Sequence, residues 1–165
     1  MRKTVFVWSL ITLLIAALNL GPSFAHVLES WPRLTIWPPE LWRETTVFNG
    51  QFMMFAIVGA PLDLGAILAS LILAFLLRRE RPAFGFALAG AVLYAAGLAA
   101  WFGFVAPVNA VLATWTPGPI PEAFELIRNR WEFGHMAVAA LKFFGLACLG
   151  FAVLFIRRDA TTERS

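Results

Sequence analysis

In a chain whose residues are 60% hydrophobic and 14% charged, few side chains can do chemistry, and those few stand out by position. His26 and His135 are the only histidines. An imidazole moves protons near neutral pH and ligates transition metals. Asp63 and Lys142 each interrupt an apolar run. A charge at the centre of a bilayer costs about 2.5–3.5 kcal/mol on insertion scales, so each requires a partner, a cavity or a function. Asn19 and Tyr94 are polar interruptions of the same kind, and Asn109, Gln51, Glu29, Arg128, Arg130 and Glu132 border the same runs. Cys148 is the single cysteine, which excludes an intrachain disulfide and a thiolate metal cluster. Two histidines fall short of the three or more ligands that zinc or copper sites usually recruit; Glu29 is the nearest third, and no metal is expected.

The elements that must position these residues are long apolar helices. Four runs approach the roughly 20 residues that cross a hydrocarbon layer of about 30 Å: 4–25, 52–77, 83–105 and 133–156. Without water to pair with peptide groups, spans of that length must be helical. The expected fold is therefore all-α: a four-helix transmembrane bundle in one membrane domain, 1–165. A short amphipathic helix at the membrane surface is expected over 121–131, before the fourth span and running into it, because Phe124, Ile127 and Trp131 recur at helical spacing. Pro38 and Pro39 suit the first turn of another short helix reaching Phe48.

Basic residues set the orientation. Arg2, Lys3, Arg78, Arg79, Arg81, Arg157, Arg158 and Arg164, eight of the thirteen Lys and Arg, fall on one side, which predicts both termini in the cytoplasm and a place in the inner or plasma membrane. The opposite segments hold four Arg against six Glu, with Trp31, Trp37, Trp42, Trp115 and Trp131 as an interfacial belt. The net charge of +3 is this topology signal and calls for no nucleic-acid partner. Residues 1–25 also read as a secretory signal ending Ser23-Phe24-Ala25, although the apolar stretch is long enough to span.

Counted from the basic side, Asn19 lies sixteen residues from Lys3, Asp63 fifteen from Arg78, Tyr94 thirteen from Arg81 and Lys142 fifteen from Arg157. At about 1.5 Å per residue the four share one depth, some 20–24 Å from the cytoplasmic edge. An Asp63–Lys142 ion pair is expected there, with Asn19 and Tyr94 completing its hydrogen bonds. A pure helix-register role is the competing reading of that pair. A second tier lies further out: His26 is twenty-three residues from Lys3 and His135 twenty-two from Arg157. A mostly apolar pocket with a few converging polar groups suits a small hydrophobic ligand. Pro61 predicts a kink beside Asp63. The row Ala83, Ala87, Ala91, Ala95, Ala99 and Gly103 predicts a close-packing ridge on the third span.

Three stretches, Gly21-Pro22-Ser23-Phe24-Ala25-His26-Val27-Leu28-Glu29, Pro107-Val108-Asn109 and Arg128-Asn129-Arg130-Trp131-Glu132-Phe133-Gly134-His135, carry a resemblance over nearly the whole chain. The chain resembles the anthrone-oxygenase-like family of small four-helix membrane proteins. The resemblance implies oxidation of a small hydrophobic aromatic substrate by molecular oxygen without metal or flavin, and so no cofactor. It points to His135, Asn109, Trp131 and His26 as the site. Cofactor-free oxygenation needs a base and an oxyanion partner, and the expected ones are His135 as base and Asn109 or Arg130 stabilising an enolate. The family often carries an Arg about three residues after its histidine, where this chain has Val138, with Lys142 one turn further.

Two other readings compete. A non-enzymatic membrane component, a small-molecule carrier or an accessory subunit, would use Asp63 and Lys142 for proton or ion coupling; a chain this short without an inverted repeat would then work as a homo-oligomer. Signal cleavage after Ala25 would instead free an amino terminus at His26 for a copper site with His135.

Overall fold

The computed structural model describes residues 3–50 and 53–162, the side chains of 56 and 157–162 excepted. Arg2, Gln51, Phe52 and Arg164, and the side chains of Arg157 and Arg158, lie outside the described residues.

Among the described residues every regular element is a helix: α1 (Lys3–Thr35), α2 (Pro39–Arg43), α3 (Met53–Leu76), α4 (Arg81–Ala100), α5 (Ala106–Leu112) and α6 (Phe124–Thr162). A π-helical turn, Glu44–Phe48, continues α2, and another, Trp101–Val105, joins α4 to α5. Four stretches are long and apolar enough to cross a membrane: Lys3–Thr35, Met53–Leu76, Arg81–Leu112 and Phe124–Ile156. This is the fold of an integral membrane protein, an all-α four-helix bundle.

The arrangement follows from one stripe on α1. Val5, Ser9, Thr12, Ala16, Asn19, Ser23, His26, Ser30 and Arg33 are buried, at alternating steps of four and three. That spacing keeps one face toward neighbouring helices along the whole length. Leu10, Leu14, Leu18, Phe24 and Leu28 face outward. The inward stripe is thus the more polar one, the inverse of a water-soluble helix and the arrangement expected where lipid is the solvent. Serine and threonine hydroxyls on it turn back to carbonyls of their own helix: Ser9 Oγ donates to Val5 O at 2.7 Å and Thr12 Oγ1 to Trp8 O at 2.8 Å.

α1, α3, α4 and α6 form a closed ring in which each packs on two others, α1 on α3 and α6, α4 on α3 and α6. Tight approach of α4 to α6 depends on glycine. A Cβ on Gly90 would stand 2.8 Å from the Leu149 side chain, and one on Gly145 would stand 2.9 Å from the Tyr94 ring. The expected ridge is only partly used, however: Ala83, Ala87 and Ala91 are buried, but Ala95, Ala99 and Gly103 are exposed. A four-residue step advances about 40° beyond a full turn, so such a row winds off the contact face. The contact passes instead to Gly90, Tyr94 and Gly97.

Other boundaries also shift. α1 continues ten residues past Ala25 because its inward stripe does not stop there. The third span likewise runs past Val105, through the π-helical turn and α5, to Leu112. The 121–131 segment does run into the fourth span, as expected, although its helix starts at Phe124, where α6 begins. Phe124 and Trp131 are buried there in a cluster with Trp42, Val105, Val108 and Leu112, so its apolar side turns into the protein. The short helix expected after Pro38 is α2 with its π-helical turn. A second apolar cluster, built around Ala16, Ala66, Leu73, Tyr94 and Leu149, fills the other part of the bundle.

Candidate functional site

Beside the cluster of Trp42, Leu112 and Trp131 lies a cavity of about 470 Å³ whose wall includes residues from both expected polar tiers. That volume is within the range of small-molecule sites. His26, His135, Asn109 and Trp131 line it together with Asn19, Asp63 and Lys142. The remaining wall is largely apolar, with Phe55, Leu98, Trp101, Phe102 and Val138.

The histidines come together. Their rings stack at 4.1 Å between centroids, inclined by 25°. Trp131 stands one turn before His135 on α6, and its ring centre lies 4.3 Å from that of His135 and 5.2 Å from that of His26, to which it is nearly perpendicular. On α6 the cavity-lining residues are Trp131, His135, Val138 and Lys142, at steps of four, three and four, so one face of the helix supplies them. Asn109, on α5, accepts a hydrogen bond at its Oδ1 from Trp131 Nε1, 2.9 Å away. An indole nitrogen only donates, so it selects the carbonyl oxygen of Asn109 and turns the amide NH2 elsewhere. Asn109 thus lines the cavity with its amide orientation fixed by Trp131.

The charged residues cross the ring. Lys142 Nζ on α6 meets Asp63 Oδ1 on α3 at 2.7 Å, and Asn19 Nδ2 on α1 donates to the same oxygen at 2.8 Å. Pro61 inside α3 cannot donate to the carbonyl one turn back, which loosens that helix two residues before Asp63. Tyr94 does not complete the pair's hydrogen bonds: its hydroxyl donates to Ala16 O at 3.0 Å. The ring packed against Gly145 holds it on that course.

Two other expectations are corrected. Arg130 is exposed and does not line the cavity, because it stands about 100° around α6 from Trp131. Glu29 does not join the histidines as a third ligand: among the described residues no three His, Cys, Asp or Glu side chains are grouped closely enough to hold a metal ion.

The arginine beside the histidines is Arg33, which the span ending at Ala25 leaves out of the helix. Its side chain is fully buried, with Nε 2.7 Å from Glu132 Oε1 and Nη2 donating to Thr46 Oγ1 at 2.6 Å. The guanidinium carbon lies 5.2 Å from the Trp37 ring centre, 5.4 Å from Trp42 and 5.2 Å from Trp131. Such cation–π contacts contribute roughly 0.5–2 kcal/mol each, more when dry. Glu132 Oε1 also accepts from Trp42 Nε1 at 2.7 Å. Arg33, Glu132 and Trp42 thus brace the indole that orients Asn109. A signal for Arg33 existed: it lies seven residues after His26, two turns on, along the stripe that begins at Val5.

The chain matches no known protein family, no curated protein and no solved structure.

Proposed function

We propose that the cavity binds a small hydrophobic aromatic molecule and that the protein oxidises it with molecular oxygen, without metal or organic cofactor, as an anthrone-oxygenase-like enzyme. The observation that carries this reading is that the two stacked imidazoles and the oriented Asn109 amide line one largely apolar cavity. The resemblance of 21–29, 107–109 and 128–135 to that family supports it.

The chemistry requires a base, an oxyanion donor and a dry pocket. The substrate carries a methylene made acidic by aryl rings and a conjugated ketone. Neutral His135 removes one methylene proton, and the charge spreads to the ketone oxygen, where the Asn109 N–H donates. The carbanion passes one electron to O2, and the radical pair closes a C–O bond to give a peroxide anion, which takes the proton from His135. Loss of the second C–H proton with cleavage of the O–O bond leaves a new ketone and one water. One CH2 and one O2 thus become one C=O and one H2O. His26 holds the plane of the His135 ring by stacking, and Trp131 holds Asn109.

Purified protein given anthrone in an oxygen electrode should consume one O2 per anthrone. His135→Ala and the bulkier His135→Gln should each lower the rate at least about a hundredfold, the lower end of what a positioned base supplies. Unchanged consumption in both folded variants would remove His135 from the mechanism. In the same reading the first helix is retained, because cleavage after Ala25 would remove Asn19 from the cavity wall. Both termini then lie in the cytoplasm, as the basic residues 78, 79 and 81 between the second and third spans direct. Intact mass and reporter fusions at either terminus test this; a mass short of residues 1–25 would overturn it.

A further inference from the structure

We propose that the end of the cavity between Asn19 and Lys142 is a hydroxyl subsite. It would receive the alcohol or phenol group of a lipophilic ligand whose other end lies against His135 and Asn109. The inference rests on the ligand-binding half of the proposed function and not on its oxygen chemistry.

Three polar groups converge there and leave a defined remainder. Asn19 gives its Nδ2 to Asp63 Oδ1 at 2.8 Å, which turns its carbonyl Oδ1 away from the carboxylate. Asn19 is 2% exposed, and that Oδ1 accepts no hydrogen bond among the described residues. A buried acceptor left this way costs about 1–3 kcal/mol unless something donates to it. Lys142 Nζ meets the same Asp63 oxygen at 2.7 Å, its one polar partner among the described residues, and an ammonium has three N–H donors. Because both nitrogens reach one oxygen atom, they lie no further apart than those two bonds laid end to end. Asn19 and Lys142 both line the cavity.

The remainder is one acceptor beside surplus donors. A ketone or ether would use Lys142 and leave Asn19 Oδ1 unsatisfied. An ammonium would use Asn19 and be repelled by Lys142, and a carboxylate would be repelled by Asp63. A hydroxyl donates to Asn19 Oδ1 and accepts from Lys142 Nζ, which satisfies both. Water carries the same chemistry, so the test must separate a ligand hydroxyl from a resident water.

Geometry also sets ligand length. His135 and Lys142 are seven residues apart on α6, as are Asn19 and His26 on α1. Seven residues rise about 10 Å, so the two ends of the site are separated by that distance on both helices. A bicyclic or tricyclic aromatic ring system bridges it.

The test is a pair of probes of one shape, 2-naphthol and 2-methylnaphthalene, titrated calorimetrically into the full chain in detergent and referenced to partition into empty micelles. The naphthol should bind about tenfold more tightly, the scale of one hydrogen bond to a charged group. In Asp63→Asn/Lys142→Leu, which removes both charges together, that preference should fall to about twofold or less, with methylnaphthalene affinity unchanged. Equal binding of the two probes by the native protein overturns the subsite and indicates a resident water; that comparison needs no variant to fold. A preference that survives in the double variant overturns it as well. Naphthol binding without oxygen consumption on anthrone would sink the oxygenase reading alone, and consumption with indifference to the hydroxyl would sink the subsite alone.

Discussion

Arg33 and Glu132 meet at 2.7 Å with neither side chain exposed. One comes from the last turn of α1 and the other from the third turn of α6, so the pair ties together the ends of the two helices that supply His26 and His135. Removing one member of a buried pair strands a charge, which costs about 3–5 kcal/mol, whereas replacing both strands none. Glu132→Ala should therefore unfold at a markedly lower temperature in detergent than the native chain. The double variant Arg33→Met/Glu132→Leu should recover at least half of that loss. Two additive losses would show the residues to be independent.

Trp131 reaches Asn109 through a single N–H at 2.9 Å. Trp131→Phe keeps an aromatic ring against both histidines and deletes only that donor. With the amide free to rotate, turnover should fall about tenfold at nearly constant KM, because the lost interaction acts on the developing oxyanion. Asn109→Leu should cost more by itself, and adding Trp131→Phe to it should cost little further. Stopped-turnover assays on the four proteins measure the coupling. Equal, multiplicative losses would detach Trp131 from the role of positioning Asn109.

Gly145 and Gly150 lie on the same helix and differ in surroundings. A Cβ at Gly145 would meet the Tyr94 ring at 2.9 Å, while one at Gly150 would meet nothing within 4 Å. Gly145→Ala should destabilise by about 1–3 kcal/mol, since overpacking forces the α4–α6 contact apart. Gly150→Ala should be neutral or stabilise by up to about 1 kcal/mol through helix propensity. Thermal unfolding in detergent orders the two, and the reverse order would contradict the packing described between Tyr94 and α6.

Composition and spacing alone determined the helical fold, the four spans and the meeting of Asp63 with Lys142. The reason is energetic: in a bilayer backbone groups must pair within helices, and the rare charges must find each other, so counting residues from the basic ends already sets their depth. Depth likewise puts both histidines in one tier. Azimuth is different, because it depends on how each helix turns against its neighbours. Only the tertiary structure decided that Arg130 faces outward while Trp131 faces the cavity, and that Tyr94 spends its hydroxyl on Ala16. Only it united the two polar tiers in one cavity wall. Arg33 is the intermediate case. The four-three stripe from Val5 was present in the sequence, but average hydropathy ends the span near Ala25, beyond which His26, Glu29, Ser30 and Arg33 follow closely on one another. A helix continues as long as its inward face has something to bind, and two of the partners that α1 binds there, Glu132 and Trp131, come from a segment far along the chain.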